Sequence, residues 1–323
     1  MKNRLLPLLI TLAAAQPAVC PAQPAESSPT VSAPAGASLA PAGNVAAVDI
    51  AAAADSLDAQ PPVGAGATID AATLAAIEVR PDICFHEVDG QRLLADFLRP
   101  PEAGELPVLL VVHGGGWVAG DKSHIASHSF RIAAAGFAVL SINYRLAPNH
   151  PYPAPLEDVY AALRYIETHA AELGVDPRRI GIWGYSAGGH LAALASVRPE
   201  PGTPRPVVCV AGGAPCDFTN IPPRSSALAA FLGGPRAERP EAYVAASPLT
   251  HATADDPPTF FINGDADLLV PHTNSMKLRK RLEEAGVTTA GYTARFQGHM
   301  ATFLNARAVD AGIAFARQYL MRQ

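Results

Sequence analysis

Apolar and polar positions alternate along most of the chain between two textures. Short runs at Val108–Val112, Ala138–Asn143, Ile180–Trp183, Val207–Ala211, Thr259–Asn263 and Ala290–Phe296 are mostly apolar on both faces, as strands of a buried parallel sheet are. Between them lie stretches of helical periodicity over Ile125–Ala135, Leu156–Leu173, Ala187–Val197 and Asn274–Ala285, with a last one over Ala306–Tyr319. Ahead of all of these, Cys84–Val88 and Leu93–Arg99 flank Asp89-Gly90, a hairpin-type turn. Ala71–Glu78 fits one short entry helix. The pattern predicts one doubly wound α/β domain: an eight-stranded, mostly parallel sheet with helices on both faces. Gly212–Pro258 is a long connection rich in Gly, Pro and Ala. It predicts a small cap or insert after strand 6, since long inserts in compact domains are usually lids or binding loops.

The first part of the chain has a different texture. Lys2 and Arg4 precede a mostly apolar stretch, Leu5–Ala15, broken by Pro7, which is the pattern of a short secretory leader. Cleavage fits after Ala15 or after Ala22. Lipid attachment at Cys20 is the less favoured alternative, because Val19 precedes it where a small residue is preferred. From Gln16 to about Ala67 the chain is Ala, Pro, Gly and Ser, with no Lys or Arg between Arg4 and Arg80. Such a segment buries too little to offset its chain entropy and predicts a disordered tether. The expected organisation is a leader over 1–22, a linker over 23–68 and a folded domain over 69–323, exported to the periplasm or beyond.

Composition narrows the classes. With 24 Lys+Arg against 29 Asp+Glu the net charge is −5, which argues against a nucleic-acid binder and against a polybasic membrane-surface protein. Four cysteines in 323 residues exclude a disulfide-built miniprotein. No apolar run of about 18 residues interrupts the body of the chain, which excludes a multi-span membrane protein. Cys209 and Cys216 flank a strand end. They either pair, leaving Cys84 single, or Cys209 is a buried small residue, the preferred reading.

The candidate chemistry begins at Gly184-Tyr185-Ser186-Ala187-Gly188. It lies between a strand and a helix, the setting that a G-x-S-x-G nucleophile elbow requires. The glycines leave room for a sharp turn that lifts the Ser186 hydroxyl to a helix N-terminus, where a developing negative charge is favoured. A serine needs a base, and the base an orienting carboxylate. Asp265 and Asp267 compete for the second role. Asp267 is favoured because it lies farther beyond the strand Thr259–Asn263. His299, 32 residues on, sits on a loop after the last strand and is the candidate base. His113-Gly114-Gly115-Gly116-Trp117 follows the strand Val108–Val112 and can bring backbone N–H groups close to a substrate oxygen. Gly115 or Gly116, with Ala187, are the candidate oxyanion donors. No G-K-[ST] follows, so a phosphate loop is disfavoured, and the histidines show no metal-ligand spacing. Trp117, Phe231, Leu232 and Met300 are candidates for an acyl pocket, with core packing the competing reading.

These motifs together resemble the bacterial esterase/lipase branch of the α/β-hydrolase superfamily, near hormone-sensitive-lipase-like esterases and kynurenine-formamidase-like amidases. The matching residues are His113–Trp117, Gly120-Asp121-Lys122, Tyr144–Pro148, Gly184–His190, Ser247-Pro248-Leu249, Gly264–Asp267 and Gly298-His299. The resemblance implies the α/β-hydrolase fold. It also implies Ser186 as nucleophile, Asp267 as acid, His299 as base, and hydrolysis of a small carboxylic ester through an acyl-enzyme without metal or organic cofactor. The hormone-sensitive-lipase group carries an acid before the serine. This chain has Tyr185, which with Gly189-His190 looks more like secreted esterase and amidase relatives and makes Tyr185 a candidate substrate-binding residue beside Trp117. Acyl-ester and arylformamide substrates, and acetyl or feruloyl groups on polysaccharide, all remain open. Asp158 is expected either to tie Arg145 or His113 in place or to lie on an exposed helix face.

Overall fold

The computed structural model describes residues 68–321. The leader, Cys20 and most of the linker lie outside the described residues. A short helix α1 (Ala71–Ala76) is capped by Asp70, whose carboxylate accepts the Thr73 N–H at 2.7 Å. The sheet then opens with β1 (Glu78–Val88) and β2 (Gln91–Arg99), followed by β3 (Leu106–Val112), β4 (Ala138–Ile142), β5 (Val175–Tyr185), β6 (Cys209–Gly212), β7 (Thr259–Gly264) and β8 (Thr289–Ala294). All eight predicted strands are present, in the order β1-β2-β4-β3-β5-β6-β7-β8. Only the pairings of β2 with β1 and with β4 are antiparallel. From β4 to β8 the sheet is parallel, so the carboxyl ends of β3, β5, β7 and β8 open on one edge.

Helices cover both faces. On one side lie α3 (Ala154–Thr168), α4 (Ala170–Leu173), α5 (Ala187–Val197) and α8 (Thr273–Glu284), and on the other α2 (Ala126–Ala134) and α10 (Ala306–Leu320). The continuous apolar run of β3 follows from this arrangement. Val108, Leu110 and Val112 pack toward the first layer, Leu109 and Val111 toward the second, and all five are fully buried. Helix α5 is buried on every side, which is why its sequence is apolar all round rather than striped.

Several boundaries differ from the sequence reading: β1 begins six residues before its expected start at Cys84, the entry helix stops at Ala76 rather than Glu78, and three others have a visible local reason. The single helix expected over Leu156–Leu173 is two, because His169 leaves the helical region (φ −109°, ψ 17°) and its ring Nδ1 pairs with the Tyr165 carbonyl. Strand β5 starts five residues earlier than its apolar run, since Asp176 answers Arg178 and Arg179 and makes a polar stretch compatible with pairing. Strand β8 stops at Ala294, where Phe296 turns to a φ of +58°.

The insert between β6 and β7 holds two short helices, α6 (Ala229–Leu232) and α7 (Pro240–Ala245), and a 3-10 turn at Pro248–Thr250. It is stitched to the body by Tyr152, whose N–H donates to the Phe231 carbonyl (2.7 Å) and whose hydroxyl donates to that of Ala245 (3.0 Å). Cys209 and Cys216 are free and buried, with burial holding both thiols protonated, and Cys84 is disulfide-bonded. The preferred reading of Cys209 as a buried small residue holds, and the alternative of a Cys209–Cys216 bridge with Cys84 left single is corrected. Two thiols enclosed in the apolar core behave as small hydrophobic groups.

Candidate active site

The elbow is set by sterics. Ser186 takes φ +59°, ψ −124°, a region that a non-glycine residue enters only under constraint. A Cβ at Gly184 would lie 2.1 Å from the Gly188 carbonyl oxygen, and one at Gly188 would lie 2.1 Å from that of Val112. Side chains at either place would push the turn open. The turn is fastened by the Ser186 N–H donating to Gly212 at 2.7 Å and by the His190 N–H donating to Ser186 at 2.9 Å. Ser186 is half-buried, at the start of α5.

The loop after β3 folds directly against it. A Cβ on Gly114 would sit 3.2 Å from the Ser186 Cβ. Gly115, Gly116 and Trp117 all have positive φ, which curls the loop around its own N–H groups. Asp121 closes it by accepting from the Ser123 N–H (2.9 Å) and from Asn143 Nδ2 (2.9 Å); these bonds hold its carboxyl well below the usual carboxylate range, against the burial that would raise it. His113 stacks on Tyr144 (centroids 4.3 Å apart), and burial pulls its imidazole down to about 4. Asp158, fully buried, ties Arg145 by bonds of 2.7 to 3.1 Å and does not reach His113.

Beyond β7, Asp267 and Asp265 divide two tasks. Asp267 Oδ2 lies 2.6 Å from His299 Nδ1, while its Oδ1 accepts from the N–H groups of Leu269 and Val270 at 2.9 Å. Asp265 instead accepts the Phe296 N–H at 2.5 Å. His299 begins a one-turn helix α9 (His299–Phe303). Its Nε2 is buried and makes no hydrogen bond. The ring lies over Gly213, where a Cβ would meet its Cε1 at 2.8 Å, and the adjoining Gly212 carbonyl is the one that holds Ser186. A carboxylate, an imidazole with one free nitrogen and a strained serine are thus gathered at the carboxyl edge of the sheet, where open α/β sheets bind ligands.

The two aromatic candidates occupy interior positions. Tyr185 is buried and its hydroxyl donates to the His299 carbonyl at 2.7 Å. Trp117 is buried, stacked on Phe231 at 4.3 Å, with Phe218 and His190 against its edge. Leu232 is fully enclosed, whereas Met300 is exposed.

Two linkages escaped the sequence reading. Trp117 Nε1 donates to His190 Nδ1 (3.1 Å), and His190 Nε2 pairs with the Ala246 carbonyl (2.7 Å), joining the glycine loop to the insert. On the other face, Trp183 Nε1 donates to His128 Nδ1 (3.1 Å) and His128 Nε2 pairs with the Phe303 carbonyl (2.8 Å), anchoring the end of α9. In both rings Nδ1 accepts, so each is neutral with its proton on Nε2. Burial draws both down to about 4. Nothing near His128 in the sequence marks this role; His190 had only its place in the Gly184–His190 motif. Among the described residues no group of three or more His, Cys, Asp or Glu is placed to hold a metal ion, and no helix is long and apolar enough to cross a membrane.

Comparison with known proteins places this geometry. The BD-FAE family model matches residues 95–282. The probable carboxylic ester hydrolase LipM of Mycobacterium tuberculosis is 35% identical over 212 residues, covering 59% of this chain and 48% of its own. Esterase LipQ of the same organism is 31% identical over 230 residues, covering 66% and 55%. The chain spans about half the length of these curated relatives. Among solved structures, a truncated carbohydrate esterase from gut microbiota superposes with TM-score 0.68 at 24% identity, over 76% of this chain and 97% of that one. Thermogutta terrifontis esterase 2 phosphoramylated by tabun gives 0.63 at 24% identity, over 77% and 95%. These likenesses show the α/β-hydrolase fold that the resemblance implied.

Proposed function

The chain belongs to the BD-FAE family, in the esterase branch of the α/β-hydrolases, and from that premise we propose that it is an exported serine carboxylesterase acting on short-acyl esters. The observation that carries the reading is the Asp267–His299 contact, which leaves Nε2 as the one uncommitted nitrogen beside the Ser186 turn. Asp267 fixes the proton on Nδ1, so Nε2 is the base. It takes the Ser186 proton as Oγ attacks the ester carbonyl, the N–H groups of Ala187 and of Gly115 or Gly116 receive the oxyanion, and the imidazolium protonates the leaving alcohol. Water then repeats the sequence on the acyl-enzyme. Tyr185 holds the His299 backbone rather than the substrate. Trp117 is packed against Phe231, Phe218 and His190 and serves the glycine loop as a buried prop; the preference for short acyl chains is the proposal's own.

Export is supported by the leader pattern of Lys2 and Arg4 ahead of the apolar stretch Leu5–Ala15. A second reading, acetyl esters on carbohydrate, draws support from a neighbour that is a carbohydrate esterase.

The test is hydrolysis of p-nitrophenyl esters from acetate to palmitate, an acetylated xylan and an arylformamide, by the chain and by its Ser186→Ala variant. Turnover concentrated on the short esters and lost in the variant is expected. Turnover confined to the formamide would make the enzyme an amidase. Retention of ester turnover by Ser186→Ala would remove the serine mechanism.

A further inference from the structure

Five large apolar side chains stand far out in water: Leu268, Leu269, Phe296, Met300 and Leu304, exposed by 63 to 96 %. No other exposed large apolar side chain among the described residues exceeds 49 %. All five belong to the two segments after β7 and β8 that carry Asp267 and His299, Met300 lying on α9. The two segments are laced together, since the Ala266 N–H donates to the Gln297 carbonyl and the Phe296 N–H to the Asp265 carboxylate. Their outward setting is enforced. Phe296 is held at φ +58°, and the N–H of Leu269 is fixed by Asp267. Side chains that line a pocket are half-buried by its other wall. These project instead, which suits insertion into an apolar phase rather than enclosure of one small molecule.

The flanking sequence leans basic. Neither 268–280 nor 295–307 contains an Asp or Glu, although the chain as a whole carries −5; the exposed acid at the group is Asp265, whose carboxylate is engaged by the Phe296 N–H. Arg295 and Arg307 are exposed beside the apolar group, the Arg295 guanidinium lying 5.5 Å from the Phe296 ring centroid. Apolar prongs bordered by arginines are complementary to an anionic lipid surface.

We propose that this collar docks the enzyme on an anionic lipid surface, with the His299 side of the site facing the lipid. The esters it meets are then those whose alcohol part lies in the apolar phase, because His299 must deliver its proton to that oxygen. The substrate half of this inference rests on the esterase reading; the docking half does not, and it is measured without turnover.

The experiment is flotation of the purified chain, carrying Ser186→Ala, with vesicles of phosphatidylcholine and phosphatidylglycerol in equal parts and with phosphatidylcholine alone. A Leu268→Ser/Phe296→Ser/Leu304→Ser variant and an Arg295→Gln/Arg307→Gln variant are run beside it. We expect the parent to float with the mixed vesicles and the serine variant to lose about tenfold or more of its partitioning. The arginine variant loses about fivefold per charge on the mixed vesicles and nothing on the neutral ones. The single Leu268→Ser change, at the most exposed position, serves if the triple variant unfolds early, and it must also weaken flotation. A parent that stays in the aqueous fraction overturns the proposal, as does a serine variant that floats like the parent. Light scattering that shows a dimer dissolved by the serine variant, without flotation, reassigns the collar to contact between copies. If flotation holds while the wild-type chain hydrolyses no ester, docking stands and the esterase reading fails.

Discussion

Asp265 and Asp267 are chemically alike and two positions apart, yet the structure gives one to a backbone N–H and the other to the imidazole. Replacing Asp267 by Asn is expected to lower kcat by about 10⁴, because the tautomer of His299 is no longer held. Asp265→Asn keeps an acceptor for Phe296 and is expected to cost less than about tenfold. Steady-state kinetics on p-nitrophenyl acetate separates the two, and equal losses would undo the assignment. Tyr185→Phe removes one hydrogen bond to the His299 carbonyl. We expect about a fivefold loss in kcat with KM unchanged, and a rise in KM alone would return Tyr185 to substrate binding. Spacing put Ser186, Asp267 and His299 forward as candidates because each follows a strand end, and the structure pairs two of them, Asp267 and His299. The tasks of Tyr185 and His128 were not legible in the sequence, since they depend on which carbonyl comes to lie opposite each side chain.

At the level of the element, the glycine loop after β3 gives a sharper test than its sequence does. Gly115 and Gly116 were interchangeable as donors in the sequence. In the structure a Cβ on Gly115 would fall 1.9 Å from the Ala119 carbonyl oxygen, whereas one on Gly116 meets nothing nearer than Val118 Cγ2 at 4.0 Å. Gly115→Ala should therefore displace the loop and cost about 10²–10³ in kcat. Gly116→Ala, at φ +61°, carries only the left-handed strain of about 1–2 kcal/mol and should keep most activity. Circular dichroism confirms that both remain folded, and a Gly116→Ala protein as impaired as Gly115→Ala would contradict this packing. The strands β3 and β7 were readable because burial on both faces leaves a run with no polar interruption. The polar first half of β5 was not, because ion pairs rather than apolar residues support it there.

Across the whole molecule, three buried imidazoles set the response to acid. His113, His128 and His190 are all pulled down to about 4 by burial. In the unfolded chain they titrate near 6.5, so as pH falls the unfolded state takes up protons first. Their contribution is complete above about pH 6.5, declines between about 6.5 and 4, and is lost below that, by up to about 3 kcal/mol for each ring. Urea midpoints at pH 7 and pH 4.5 measure the fall, and a His128→Gln protein should show a shallower one. A slope unchanged in that variant would take His128 out of the account. Asp158→Ala leaves the Arg145 guanidinium buried without its main partner and should cost about 3–5 kcal/mol in the same measurement.

Local order of residues was enough to establish the alternation of strands and helices, the parallel sheet and the nucleophile turn, because periodicity and glycine sterics act within a few positions of the chain. It also put the paired Asp267 and His299 on loops beyond strand ends at the edge where the Ser186 turn lies, since strand order constrains where a loop residue can arrive. Which acid faces the imidazole and which apolar side chains end in water follow from atoms far apart in sequence. Ser186 is fastened by Gly212, His299 by Tyr185 and Phe303 by His128. Those partners become neighbours only when the sheet closes, so their roles were decided by the tertiary structure alone.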